Sequence, residues 1–181
     1  MARLNRVVND VLDFARPITF DYAATDLNVL CRESALAAQA TPGATVTIDA
    51  DPEAGVVMTD GERLRSALVN VIVNARHAVD GQQTQRVTLT TRREGGTVII
   101  TVGDTGLGID RAHLPHVFDP YFTTKRGGSG LGLPITRNIV EGLGGAIIAA
   151  SEPGRGTEIR ITLPLDSTLT PSARSEDRLL T

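Results

Sequence analysis

The sequence predicts one globular domain of the α/β class, with helices and strands interleaved along the chain. Three observations predict it. The chain has 181 residues, 41% hydrophobic and 22% charged, which suits one packed core at roughly 150 residues per domain, without disulfides or structural metal. Its best helical periodicity, over residues 61–79, runs straight into a strand pair over 87–104. A further helix opening near Leu131 runs into a closing strand pair over 146–163.

The elements follow in chain order. Leu4, Val8, Val11 and Ala15 form a helix seam that Pro17 stops. The seam is shorter than the ~3–4 heptads a coiled coil wants, so residues 1–17 read as the end of a longer helix. The plainer alternative is a terminal helix packed on its own domain. After an extended stretch, Asp26 is the expected N-cap of a helix through Leu27, Leu30, Cys31, Ser34, Ala35 and Ala38, ended by Pro42-Gly43. Val46-Thr47-Ile48 and Val56-Val57-Met58 read as short strands around the turn Asp51–Gly55. Leu64, Ala67, Leu68, Val71, Ile72, Ala75 and Val79 then recur at threes and fours. Strands over 87–93 and 98–104 join at Glu94-Gly95-Gly96, a hairpin signal. Residues 105–130 are glycine-rich and aperiodic, a long loop of the functional kind. Leu131, Ile135, Ile139 and Leu143 mark a helix with Pro134 in its first turn and Gly144-Gly145 as its stop. Strands over 146–150 and 157–163 flank Pro153-Gly154, and the polar residues 166–181 read as a disordered tail.

Composition excludes several function classes. With 18 basic and 21 acidic residues the net charge is −3, which disfavours nucleic acid or an anionic membrane as main partner. The single cysteine, Cys31, permits neither an intramolecular disulfide nor a cysteine metal cluster, and fits a reducing cytoplasm. No apolar run approaches the ~20 residues of a membrane span, and Met1–Arg6 lacks a signal-peptide core. The chain is expected to be soluble and without membrane contact of its own; a membrane-anchored parent protein stays open.

Candidate chemistry sits in five places. Asn70, Asn74 and His77 fall at i, i+4 and i+7 of the 61–79 helix, a polar stripe beside its apolar face. An amide oxygen is a hard ligand suited to Mg²⁺, although a solvated face is the commoner reading of such a stripe. The alternation of Val98, Ile100 and Val102 puts Asp104 in the inward row, where a carboxylate needs a donor such as the exocyclic amine of adenine, the competing reading being a turn acid that caps its own loop. Gly106 and Gly108 would admit a flat base, and Arg111 in place of a third glycine rules out a dinucleotide fingerprint. Gly127-Gly128-Ser129-Gly130-Leu131-Gly132 runs into a helix start, an anion site by its free N–H groups and dipole, but no Walker loop. Upstream, Phe118–Phe122 supplies aromatic anchors, followed by the cations Lys125 and Arg126. Thr157 opens the inward row Thr157, Ile159, Ile161, Leu163.

In this order the pieces resemble the catalytic ATP-binding domain of two-component sensor histidine kinases, in the superfamily shared with gyrase, the Hsp90 chaperone and the MutL repair proteins. The likeness spans about residues 60–164. Residues 68–75 resemble the N box, Asp104–Ile109 the first glycine box, Phe118–Phe122 the F box, Gly128–Leu133 the second glycine box and Gly156-Thr157 the last. Phe-Asp-Pro-Tyr-Phe-Thr-Thr-Lys is similar to the nitrogen-regulation type. The resemblance implies a two-layer α/β sandwich: a mixed, mainly antiparallel sheet covered on one face by helices, with a long ATP lid over 105–130. It implies that Asn74 holds Mg²⁺ and that Asn70 and His77 lie along the phosphates. It further implies that Asp104 reads adenine with support from Thr157, and that Lys125 stands near the γ-phosphate. Gly106, Gly108, Ile109, Phe122, Thr123 and Thr124 would contribute to nucleotide binding, as would Gly128, Ser129, Gly130, Leu131 and Gly132.

Two departures shape the expected reaction. Hydrolysing members of the superfamily carry a glutamate one turn before the Mg²⁺ asparagine, and here that residue is Asn70. An amide cannot take a proton from water, so phosphoryl transfer is expected over hydrolysis. None of His77, His113 and His116 sits in the acceptor motif of these kinases, so the expected partner is a dimerisation hairpin carrying the acceptor histidine, with relay to a receiver-domain aspartate. Residues 1–17 resemble the end of that hairpin, 18–165 the catalytic domain, and a homodimer stays open. The alternatives are an ATP-binding regulatory module and a serine kinase of the anti-sigma type.

Overall fold

The computed structural model describes residues 19–125 and 128–165. The expected helix over 1–17, the tail over 166–181 and the pair Arg126 and Gly127 lie outside the described residues.

Asp26 caps the first helix as its sequence position suggests: its Oδ1 accepts from Val29 N at 2.9 Å. Strand β1 (Ala23–Asp26) thus runs directly into helix α1 (Leu27–Ala38). Strands β2 (Val46–Ala50) and β3 (Val56–Thr59) follow, on either side of a 3₁₀ turn over Pro52–Ala54. They do not pair with each other. β2 runs parallel to β4 (Val87–Glu94), while β3 pairs antiparallel with β1. The residues before Asp26, read only as extended, become a strand because β3 supplies the partner.

Helix α2 (Gly61–Val79) spans the expected range. Asp60 caps it, its Oδ1 accepting from Arg63 N at 3.0 Å. Strand β5 (Thr97–Asp104) forms the expected hairpin with β4, and helix α3 (Gly132–Gly142) leads through Gly144-Gly145 into β6 (Ala146–Glu152) and β7 (Gly156–Pro164). The main sheet has the order β2-β4-β5-β7-β6, antiparallel except at β2-β4.

Period-two alternation divides the sheet into two faces. Val87 and Leu89, Val98, Ile100 and Val102, and Ile159, Ile161 and Leu163 are buried beneath the helices, joined by the apolar stripe of α2, by Leu30 and Cys31 of α1 and by Val140 of α3. The opposite face is mainly polar, carrying the Arg160–Glu158 ion pair at 3.0 Å with the exposed Ile148 beside Arg160. This is the expected mixed sheet with helices on one face.

Arg76 of α2 is a buried cation that composition alone would place on the surface. Its guanidinium donates to Ala44 O and Thr41 O, each at 2.8 Å, and to Ala38 O at the end of α1. Carbonyls at a helix C-terminus carry partial negative charge, so the fork ties α2 to the turn that closes α1. Among the described residues no helix is long and apolar enough to cross a membrane.

Candidate functional site

Helical spacing places Asn70, Asn74 and His77 along one side of α2, the amides half-buried and His77 exposed. The structure adds a partner to each amide. Asn70 Nδ2 donates to Thr136 Oγ1 of α3 at 2.8 Å. Asn74 Oδ1 accepts from Lys125 Nζ at 2.9 Å, with the Asn74 carbonyl 3.5 Å away. The lid cation therefore rests on the amide oxygen expected to bind a metal.

Asp104 ends β5 half-buried, in phase with Val102 and Ile100. Its Oδ1 accepts from Gly106 N at 2.8 Å and from Thr157 N at 3.3 Å. Desolvation pushes the Asp104 carboxyl above its usual range, opposed by those two N–H donors and by the charge of Lys125. The same environment pulls Lys125 below its usual range through desolvation, with Asp104 opposing. Asp104 does cap its own loop, as a turn acid would, and the cap joins the first glycine box to the last.

The close approaches that require glycine here are to protein backbone. A Cβ on Gly106 would collide with the carbonyl of Ala78 at the end of α2, and one on Gly108, with φ 68°, would collide with that of Glu152. Ile109 N donates to Ser151 Oγ at 2.8 Å; Ser151 in turn bonds Gly156 O at 2.8 Å and Thr157 Oγ1 at 3.0 Å. Ser151 is thus the hub between two glycine boxes, and sequence reading missed it. Its signal was present, because Ser151 shares the inward phase of β6 with Ile147 and Ala149.

The lid builds on its aromatics. Phe122 packs against His113 and His116 at 5.6 and 5.9 Å between ring centres, and His116 Nδ1 lies 2.7 Å from Asp119 Oδ2. Arg137 of α3 stands 5.9 Å above the Phe118 ring. Thr123 Oγ1 accepts from Lys125 N at 3.1 Å and borders Gly128, while Thr124 is exposed. Tyr121 N donates to Gly130 O at 3.0 Å, and Ser129 Oγ accepts from Leu131 N at 3.4 Å. Leu131 is buried, and no side chain caps the start of α3 there, so the first-turn N–H groups of Gly132 and Leu133 are not held by a capping side chain, and Pro134 has no N–H. An open depression of about 420 Å³ reaches Asp104 and Thr157 past Arg86, Thr88 and Glu158, but Asn70 and Asn74 are not on its wall.

A helix start without a capping side chain, packed against an amide stripe, and an inward carboxylate coupled to that stripe through Lys125 suit a phosphorylated ligand with an amine-bearing base. The class these features define is the nucleotide-binding α/β sandwich. A family model described as histidine kinase-, DNA gyrase B-, and HSP90-like ATPase matches residues 59–167, and the chain belongs to that family. It is 38% identical over 168 residues to the sensor histidine kinase ZraS of Klebsiella oxytoca, a match covering 91% of this chain and 36% of that protein. The chain thus spans about a third of that relative. Among solved structures, full-length ShkA in complex with AMPPNP superposes with a TM-score of 0.78 at 30% identity, covering 89% of this chain and 35% of ShkA. The nucleotide-free catalytic domain of the histidine kinase ThkA gives 0.71 at 27% identity, covering 80% of this chain and 96% of that domain.

Proposed function

We propose that this chain is the Mg·ATP-binding catalytic part of a sensor histidine kinase, which transfers the γ-phosphate to a histidine supplied by another segment or chain. The observation that carries the reading is the Lys125 ammonium on Asn74 Oδ1. The amide oxygen of the stripe already takes a cation, so its donor chemistry fits a hard metal ion. Mg²⁺ held at Asn74 would neutralise phosphate charge. The remaining roles belong to the chain itself. Asp104 accepts from the adenine amine with Thr157 beside it. The open N–H groups of α3, with Gly128–Gly132, bind phosphate oxygens, and Lys125, once off Asn74, pairs with the γ-phosphate.

Asn70 favours transfer over hydrolysis, because it has no basic site to deprotonate water. Catalysis is then positioning and charge neutralisation, with the nucleophile on a helical hairpin and onward relay to a receiver-domain aspartate. We assign residues 1–17 to the end of that hairpin, 18–165 to the catalytic domain and 166–181 to a tail, in a reducing cytoplasmic compartment.

Calorimetric titration with ATP, with and without Mg²⁺, tests the binding site. Asn74→Ala should lose about tenfold or more of the Mg²⁺-dependent affinity and little of the Mg²⁺-free affinity. Equal losses in both would remove Asn74 as the metal ligand.

A further inference from the structure

Thr136 is 1% exposed, one helical turn beyond Gly132 on the inner side of α3. Its hydroxyl donates to Gly132 O at 3.0 Å and stands 2.8 Å from Asn70 Nδ2. A threonine has one hydroxyl proton, and a carbonyl oxygen can only accept. With that proton committed to Gly132, only a donor can complete the contact from α2. The nitrogen of the Asn70 amide must therefore face Thr136, which leaves the oxygen turned away.

Packing holds the amide in place. A Cβ on Gly132 would stand 2.6 Å from Asn70 Oδ1 and 3.0 Å from Nδ2, so the opening turn of α3 has room for this amide because residue 132 has no side chain. A carboxylate at position 70 would fit poorly. It offers no proton to Thr136, and the hydroxyl would have to leave Gly132 O to serve it.

We propose that Thr136 is a positioning residue that locks the Asn70 amide with Oδ1 presented to the phosphate side of the cleft. The proposal rests on the reading of that cleft as a Mg·ATP site. Bound Mg²⁺ keeps several waters, whose protons need acceptors. An amide oxygen supplies one, whereas an amide turned the other way would set N–H against O–H. The lock also matches position 70 to an amide and against an acid, the choice on which transfer rather than hydrolysis depends.

The test uses the whole chain labelled with ¹⁵N, the Asn70 side-chain NH₂ signals being identified by their loss in Asn70→Asp. Thr136→Val keeps the shape and removes the hydroxyl, and Thr136→Ser restores it. In the wild type and in Thr136→Ser the Asn70 signals should exchange slowly with water; in Thr136→Val they should move and exchange fast. The gain in ATP affinity from Mg²⁺ should fall about tenfold in Thr136→Val, return in Thr136→Ser, and leave adenosine binding unchanged.

Unmoved Asn70 signals in Thr136→Val would overturn the proposal, and so would equal losses of adenosine and Mg·ATP or a serine variant that behaves like valine. Should Thr136→Val not fold, Gly132→Ala, whose Cβ pushes the amide off Thr136, gives the NH₂ readout alone, Gly132 itself belonging to the phosphate loop: the Asn70 signals should move and exchange fast, and unmoved signals would overturn the proposal. A wild type whose ATP affinity ignores Mg²⁺ would instead sink the reading of the cleft, while the NH₂ signals still decide the lock.

Discussion

In the proposed function Asp104 serves structure and recognition at once. Its Oδ1 clamps Gly106 and Thr157 together, and burial pushes its carboxyl above the ordinary 3.8. With Oδ1 held by two backbone N–H groups, protonation would fall on Oδ2, the oxygen left for an adenine amine, and weaken its acceptance. Affinity for ATP should therefore be flat near neutral pH and fall as pH drops through a midpoint above 3.8. Asp104→Asn should bind weakly across the same range while unfolding at an unchanged temperature, and normal binding by that variant would refute the adenine assignment. The residue types of this site were legible in sequence: amides on a helix stripe, a carboxylate in the inward phase, glycines before a helix. The bonds that organise them were not. Thr136 and Ser151 act through partners 66 and 42 residues away, at Asn70 and Ile109, and no local pattern encodes such pairings.

At the scale of elements, α2 and the β4-β5 hairpin were readable because their periodicity and turn chemistry are local. The β1-β3 ribbon was not, since its strands are separated by α1 and β2 and hold together by tertiary pairing. Arg76 is the clearest case of an element held by a residue that sequence reading passes over. Arg76→Met should leave three carbonyls unpaired, cost about 3 kcal/mol and lower Tm by roughly 6–12 °C. An unchanged Tm would show that the α1–α2 junction does not depend on this fork. Cys31 reports on the same helix pair. Burial pushes its thiol up to about 12, so thiol reagents should label it only on unfolding. Rapid labelling of the native protein would mean that α1 opens independently of the core.

For the molecule as a whole, one sheet face carries the helices, and the lid cation Lys125, on Asn74 Oδ1 and within the field of Asp104, links the two places that the proposed function assigns to metal and base. The proposed phosphotransfer adds that the acceptor histidine is supplied by a hairpin outside this domain. The most direct measurement is incubation with γ-labelled Mg·ATP, alone and with a separately made helical hairpin bearing an acceptor histidine, following acid-labile phosphoprotein and free phosphate together. Label on the hairpin with little free phosphate is the predicted result. Rapid phosphate release without transfer would contradict it, and would show that Asn70 does not prevent attack by water.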